Sequence, residues 1–183
     1  SVNIPANVFL TSIPNSNNTP LVWLVQGECV IDGYLDVSGK AANRASGGAG
    51  GPGGYRGGNG GRDGNGGHGL GGGAASRDGE PAAHAALPIK REFADWICYS
   101  NSTARVYGSP FLIPLLGGSG GGGATAHPCA GGGGGGAMVI AATESIRLNG
   151  TIWACGGLGQ SVDGGFLYGG GGSGGAVRLV CKR

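Results

Sequence analysis

Apolar residues along this chain fall into short groups whose spacing is that of strands. Val2, Ile4, Val8, Leu10 and Ile13 mark an extended, partly alternating arm, interrupted by Pro5 and Pro14. Residues 14–20, rich in Asn and Pro, read as a loop. Leu21–Val25 and Cys29–Ile31 follow as strands, and Asp32-Gly33 predicts a tight turn before a further strand over 34–37. The last third has the same character, with Val139, Ile146, Leu148, Ile152, Val177 and Leu179 as apolar positions and Asn149-Gly150 as a second turn. Only 82–87 and 91–98 suggest helix, the latter through the spacing of Phe93, Trp96 and Ile97. Residues 103–116 return to strand and turn character, broken by Pro110 and Pro114.

Glycine fills the space between these groups. There are 46 glycines in 183 residues, more than three times the usual share of about 7%. Gly27, Gly33 and Gly39 precede residue 47, and all the others follow it, mostly in the runs 47–73, 117–123, 131–136, 156–159 and 169–175. Ordering a glycine costs more backbone entropy than ordering any other residue. Such a chain either recovers that cost through dense backbone hydrogen bonding or never orders. A flexible linker fits poorly, because 39% of the residues are hydrophobic and only 12% are charged. An ordered run in polyproline II geometry extends ~3.1 Å per residue, with three residues per turn and outward-pointing N–H and C=O groups. Neighbouring runs can then bond to one another, and Cα–H···O contacts add a little.

Two internal echoes define a unit. Residues 31–39 match 148–156 in the pattern apolar, Asp/Asn, Gly, any, apolar, any, small, any, Gly. Residues 135–141 match 174–180, each a Gly-Gly-Ala followed by a strand. The unit is a glycine run, a strand, an Asn-Gly or Asp-Gly turn, a second strand and more glycine. It cannot bury its own face, so its neighbours must do so, which predicts a stacked or solenoid-like β scaffold. The expected fold class is mainly β with extensive polyglycine II or irregular glycine-rich segments and little helix. The expected organisation is an N-terminal arm and strands over 1–39, then a glycine-rich repeat scaffold over 40–183 with an insert at 81–106. The two form one continuous domain.

The stretches 26–39, 47–58, 107–123 and 131–157 carry a V-I-x-G-x-L-D-V-S-G strand pair and a glycine run leading to x-G-T-I-x-A-x-G-G. This combination resembles a group of uncharacterised glycine-rich secreted or surface repeat proteins of bacteria. The resemblance covers most of the chain except 81–106, and it implies architecture and an extracellular or cell-surface location. The cysteines and the segment 81–100 depart from that pattern. More distantly, the runs are similar to polyglycine II bundles in phage tail-tip adhesins and springtail antifreeze proteins.

Charge narrows the options further. The net charge is +2 and no basic patch stands out, so a nucleic-acid partner is not expected. No apolar run approaches the twenty residues of a membrane span. GxGxxG recurs by chance in so glycine-rich a chain, without the helix and distal acid of a dinucleotide site. There is no G-K-[ST], no G-x-S-x-G elbow and no zinc-ligand spacing among His68, His84 and His127. Asp63 and Asn65 read as a solvated turn before they read as a calcium site. Catalysis, cofactors and metals are therefore not expected. Five cysteines in a weakly charged chain suggest an oxidising compartment. The expected pairs are Cys98–Cys129 and Cys155–Cys181, leaving Cys29 as a free or intermolecular thiol; buried thiols throughout are the alternative. Asn17, Asn101 and Asn149 head glycosylation sequons.

These features favour a non-enzymatic extracellular subunit that associates with itself into a fibre, sheath or surface layer. The arm carrying Val2, Ile4, Val8, Leu10 and Ile13 is expected to pair with a neighbouring subunit. Asp32, Gly33, Asn149 and Gly150 are the expected repeat turns. An adhesin is the alternative, its loops 40–80 and 81–106 presenting a receptor or cell-surface glycan site on a rigid scaffold. Tyr55, Trp96, Tyr99, Tyr107, Trp153, Phe166 and Tyr168 are the aromatics available to a sugar-binding surface, with core and interface packing the favoured reading. Ice binding comes third, with only Thr125, Thr143 and Thr151 available for a flat threonine face.

Overall fold

A computed structural model describes residues 1–86, 104–162 and 167–182. Its strands are β1 (Val2–Ile4), β2 (Phe9–Thr11), β3 (Leu21–Val25), β4 (Cys29–Ile31), β5 (Tyr34–Asp36), β6 (Ala137–Ala142), β7 (Ile146–Leu148), β8 (Thr151–Trp153), β9 (Ser161–Val162), β10 (Leu167–Tyr168) and β11 (Ala176–Val180). No helix forms among the described residues. Ala82 and Ala83 are extended and buried, not helical. The second expected helical piece, 91–98, lies outside the described residues.

The chain visits three parallel sheets in the same order three times. β1, β4 and β7 form one sheet, β2, β5 and β8 another, and β3, β6 and β11 the third. Each pass contributes one layer: β1-β2-β3, then β4-β5-β6, then β7-β8-β11. The two echoes in the sequence are these layers in register. Ile31 lies beside Leu148 and Tyr34 beside Thr151, while Ala137 to Ala141 lie beside Ala176 to Val180. The Asp-Gly and Asn-Gly dipeptides are not hairpin turns. Each is a corner that carries the chain from one sheet to the next. The amides of Asp32 and Gly33 both donate to Ile4 O, and those of Asn149 and Gly150 both donate to Ile31 O. Glycine is required there because a Cβ on Gly150 would land on the Gly33 carbonyl of the layer before it.

The corner after β5 and β8 is expanded into a block of extended segments, here s1 (37–42), s2 (46–51), s3 (54–60), s4 (64–69), s5 (71–75), s6 (79–84), s7 (117–124), s8 (129–136), s9 (154–160) and s10 (169–175). Segment s8 shows how they pack. Gly131 and Gly134 donate to s3, Gly132 and Gly135 to s10, and Gly133 and Gly136 to s1. Its carbonyls accept in the same period of three, from s2, s7 and s9. Segment s7 is likewise bonded to s3, s4, s5, s6, s8 and s10. Following all of these bonds gives three tiers: s2-s3-s4, then s1-s8-s7-s5, then s9-s10-s6.

The tiers are continuous with the strand layers. s1 continues β5 and s8 leads into β6, whereas s9 continues β8 and s10 leads into β11. On the other side, the Asn18 side chain before β3 donates to Gly54 O at 2.6 Å and accepts from Gly53 N at 3.1 Å. The described parts of the molecule therefore form a slab three tiers thick, strands at one end and glycine segments at the other. The fully buried side chains Cys29, Ile31, Leu35, Met138 and Ile140 all belong to the middle layer.

Candidate functional site

The slab has two broad faces, and both are unfinished. Among the described residues, β1, β2 and β3 pair on one side only, and so do β7, β8 and β11. Unpaired strand edges are templates for further strands, and soluble proteins ordinarily blunt them with charges, prolines or bulges. Here residues 1–27 contain no Asp, Glu, Lys or Arg, and the first charged side chain is Glu28. Large apolar side chains stand in the open there: Phe9 is 63% exposed, Ile13 86% and Leu24 81%. The opposite face exposes Leu148, Trp153, Leu158 and Leu179.

The expected assembly arm takes a different position from the one its sequence suggests. It does not leave its own domain for a neighbour: β1 pairs with β4 and β2 with β5. Ile4 is buried, Val2 half-buried, and Val8, Leu10 and Ile13 are exposed. The arm alternates because its inward residues cap the core, while its outer edge stays unpaired. It is one face of the slab and not a detachable connector.

Three rings, one from each layer, close over the outer side of β2-β5-β8. Phe9 stacks on Tyr34 at 4.3 Å, Tyr34 lies 5.4 Å from Trp153, and Phe9 lies 5.9 Å from Trp153. Such contacts stabilise beyond the area they bury, so the cluster clasps the layers together. Phe9 and Tyr34 are absent from the aromatic set expected from the sequence. Their signal is positional: both open a strand after a corner, and parallel stacking aligns them. Of the expected set, Trp153 joins this cluster, Tyr55 interacts electrostatically with Tyr107, and Trp96, Tyr99 and Phe166 lie outside the described residues.

Tyr107 belongs instead to a polar knot inside the glycine block. Its hydroxyl donates to Gly117 O at 2.6 Å and accepts from Ser119 Oγ at 2.9 Å. Ser119 Oγ also accepts from Gly71 N at 3.0 Å, and Ser119 N donates to Ser173 Oγ at 2.8 Å. The His84 ring lies 4.7 Å from that of Tyr107, tilted by 40°, and contacts Gly174 O through Nδ1 at 3.1 Å. Burial pushes the Tyr107 hydroxyl above its ordinary pKa, and the Ser119 hydrogen bond opposes this in part. Ser119 is fully buried, so the knot is a staple and not a reactive centre.

No disulfide joins two of the described cysteines. Cys155 is an exposed thiol on s9, so the expected Cys155–Cys181 bond is not made. Cys98 lies outside the described residues, and the Cys98–Cys129 expectation with it. Cys29 is fully buried in the core, which raises its thiol pKa against the pull of the N-terminal ammonium. A thiol so placed cannot reach a neighbour. Asp32 and Asn149 meet across two layers, Asn149 Nδ2 donating to Asp32 Oδ1 at 2.7 Å. Asn65, one half of the calcium suggestion, is engaged in the block, its Oδ1 accepting from Asn59 N at 2.7 Å. No helix among the described residues is long and apolar enough to cross a membrane. No protein-family model, curated protein or solved structure matches the chain.

Proposed function

We propose that this protein is a non-enzymatic, extracellular structural subunit that associates with itself into a fibre, sheath or surface layer. In this reading the strand layers are a short solenoid and the glycine segments a polyglycine II bundle fused to it. The threefold alternation of hydrogen-bond partners along s8 supports the second description, and the repeated visits to three parallel sheets support the first. The observation that carries the function is the pair of unfinished faces, one of them made of strands without a single charged side chain. Sedimentation velocity and negative-stain electron microscopy over a concentration series test it. Species should grow with concentration and end in elongated or layered particles. A monomer at every concentration would defeat the reading.

One observation favours an adhesin as the second reading. The Phe9–Tyr34–Trp153 cluster is partly exposed and flanked by Thr11, Asp36 and Thr151 on the same sheet. Aromatic surface beside hydrogen-bonding groups suits a sugar ring. Binding on a glycan array that is lost in Trp153→Ala would favour it.

A further inference from the structure

We propose that copies stack head to tail, the face of β7, β8, β11, s9 and s10 of one copy lying on the face of β1, β2, β3, s2 and s3 of the next. This rests on the self-association proposed above and adds its orientation and contacts. The strand halves supply the first argument. All three sheets are parallel and end with unpaired strands at both faces, so β7, β8 and β11 can receive β1, β2 and β3 of another copy in the sense in which the chain already pairs its own layers. Contacts of that kind are heterologous and continue without closing.

The glycine half supplies an independent argument, from which side chains point outward. Segments s3 and s10 lie on opposite sides of the same pair, s7 and s8, and at the same level along it. Tyr55 and Gly58 donate to Gly118 and Gly121 from one side, while Ser173 and Gly170 donate to Ser119 and Gly122 from the other. Segment s3 turns Arg56 and Asn59 outward, joined by a 2.8 Å hydrogen bond. At the matching places s10 has Gly171 and Gly174. A Cβ there would meet nothing nearer than 3.9 Å and 3.7 Å, whereas most glycines of the block would drive it into a carbonyl. Neither residue donates a backbone hydrogen bond among the described residues. The described residues of one copy give no steric reason for glycine at 171 and 174; a bulky strip on the facing copy does.

The neighbouring column is complementary in the opposite sense. Segments s2 and s9 lie on opposite sides of s1 and s8. Gly48 donates to Gly131 and Gly51 to Gly134, while Gly157 donates to Gly133 and Gln160 to Ala130, which places Ala49 and Leu158 at one level. Leu158 is 76% exposed, and the residue it would meet is an exposed alanine. Large faces small in both columns when one slab is laid on the next without rotation. Turning a copy over would set Leu158 against Leu158 and the two glycine strips against each other.

Two variants of the full chain that each block one face test this. Gly171→Arg places a side chain in open space on one face, and Ala49→Arg does so on the other. Phe111→Lys, 79% exposed in the segment between s6 and s7 and on neither face, is the control. Circular dichroism melts establish that all three are folded. Each face variant alone should remain monomeric at concentrations where the wild type elongates. Mixing the two should restore dimers and nothing longer, and Phe111→Lys should assemble like the wild type. Disruption by Phe111→Lys with assembly intact in both face variants would overturn the stacking while leaving self-association standing. So would dimers formed by either face variant alone. A wild type that stays monomeric throughout would defeat the stacking and the proposed function together.

Discussion

Gly134 and Gly171 are chemically identical and sit in opposite circumstances. A Cβ on Gly134 would land on the Gly118 carbonyl, inside an array of backbone that has nowhere to move. Gly134→Ala should cost about 1–3 kcal/mol or more in a denaturant titration, as overpacking does elsewhere. At Gly171 the same methyl group enters open space. Gly171→Ala should be neutral or stabilise by about 0.4–1 kcal/mol, because alanine restricts the unfolded chain. Both are to be measured at concentrations too low for assembly. Asn149 offers a second test at this scale, because its amide donates to Asp32. Asn149→Asp replaces that hydrogen bond with two facing carboxylates on an exposed corner. The expected loss is about 0.5–1.5 kcal/mol at neutral pH, smaller at high salt.

Among the elements, s5, s7 and s10 are held together by the Tyr107–Ser119–Ser173 knot. Because burial raises the Tyr107 pKa, the folded state keeps the phenol neutral at a pH where the unfolded chain has begun to ionise it. Its contribution is complete below the ordinary tyrosine value of about 10 and is lost as pH rises above that. Thermal melts should hold steady from pH 7 to 9 and then fall. Tyr107→Phe should lower stability by about 1–2 kcal/mol at pH 7 and flatten the alkaline fall. The strand elements themselves were largely legible. Apolar grouping located β3, β4 and β6, and the two echoes matched residues that the fold pairs between the second and third layers. What the pattern misassigned was the partner of each strand. An Asp-Gly between two apolar groups reads as a hairpin, but carbonyls of the preceding layer crowd Gly33 and Gly150, and the corner passes the strand to a different sheet. The order of s1 to s10 was not legible, because a bare glycine run has no side chain with which to choose a neighbour. A faint signal exists in the non-glycine residues spaced three apart, such as Arg56 with Asn59, Asn65 with His68 and Cys155 with Leu158, which mark the outward direction of the outer segments.

At the scale of the whole molecule, the apolar core is centred on the middle layer and capped from the first by Ile4 and Val25, and the glycine block is held by backbone bonds. The two halves share their thickness, so neither overhangs the other when the faces meet. Stacked copies would then carry parallel strands at the usual spacing of about 4.8 Å along the axis of assembly, and aligned fibres should show that reflection. All of this depends on the glycine runs being an ordered, hydrogen-bonded array. Residue-resolved amide hydrogen exchange on the monomer tests that claim most directly. Every amide of 131–136 donates a backbone bond, whereas in s10 those of Gly170, Gly172, Ser173 and Gly175 do and those of Gly171 and Gly174 do not. The account predicts slow exchange throughout 131–136 and a pattern in s10 in which only Gly171 and Gly174 exchange fast. Uniform exchange at random-coil rates across both segments would contradict it.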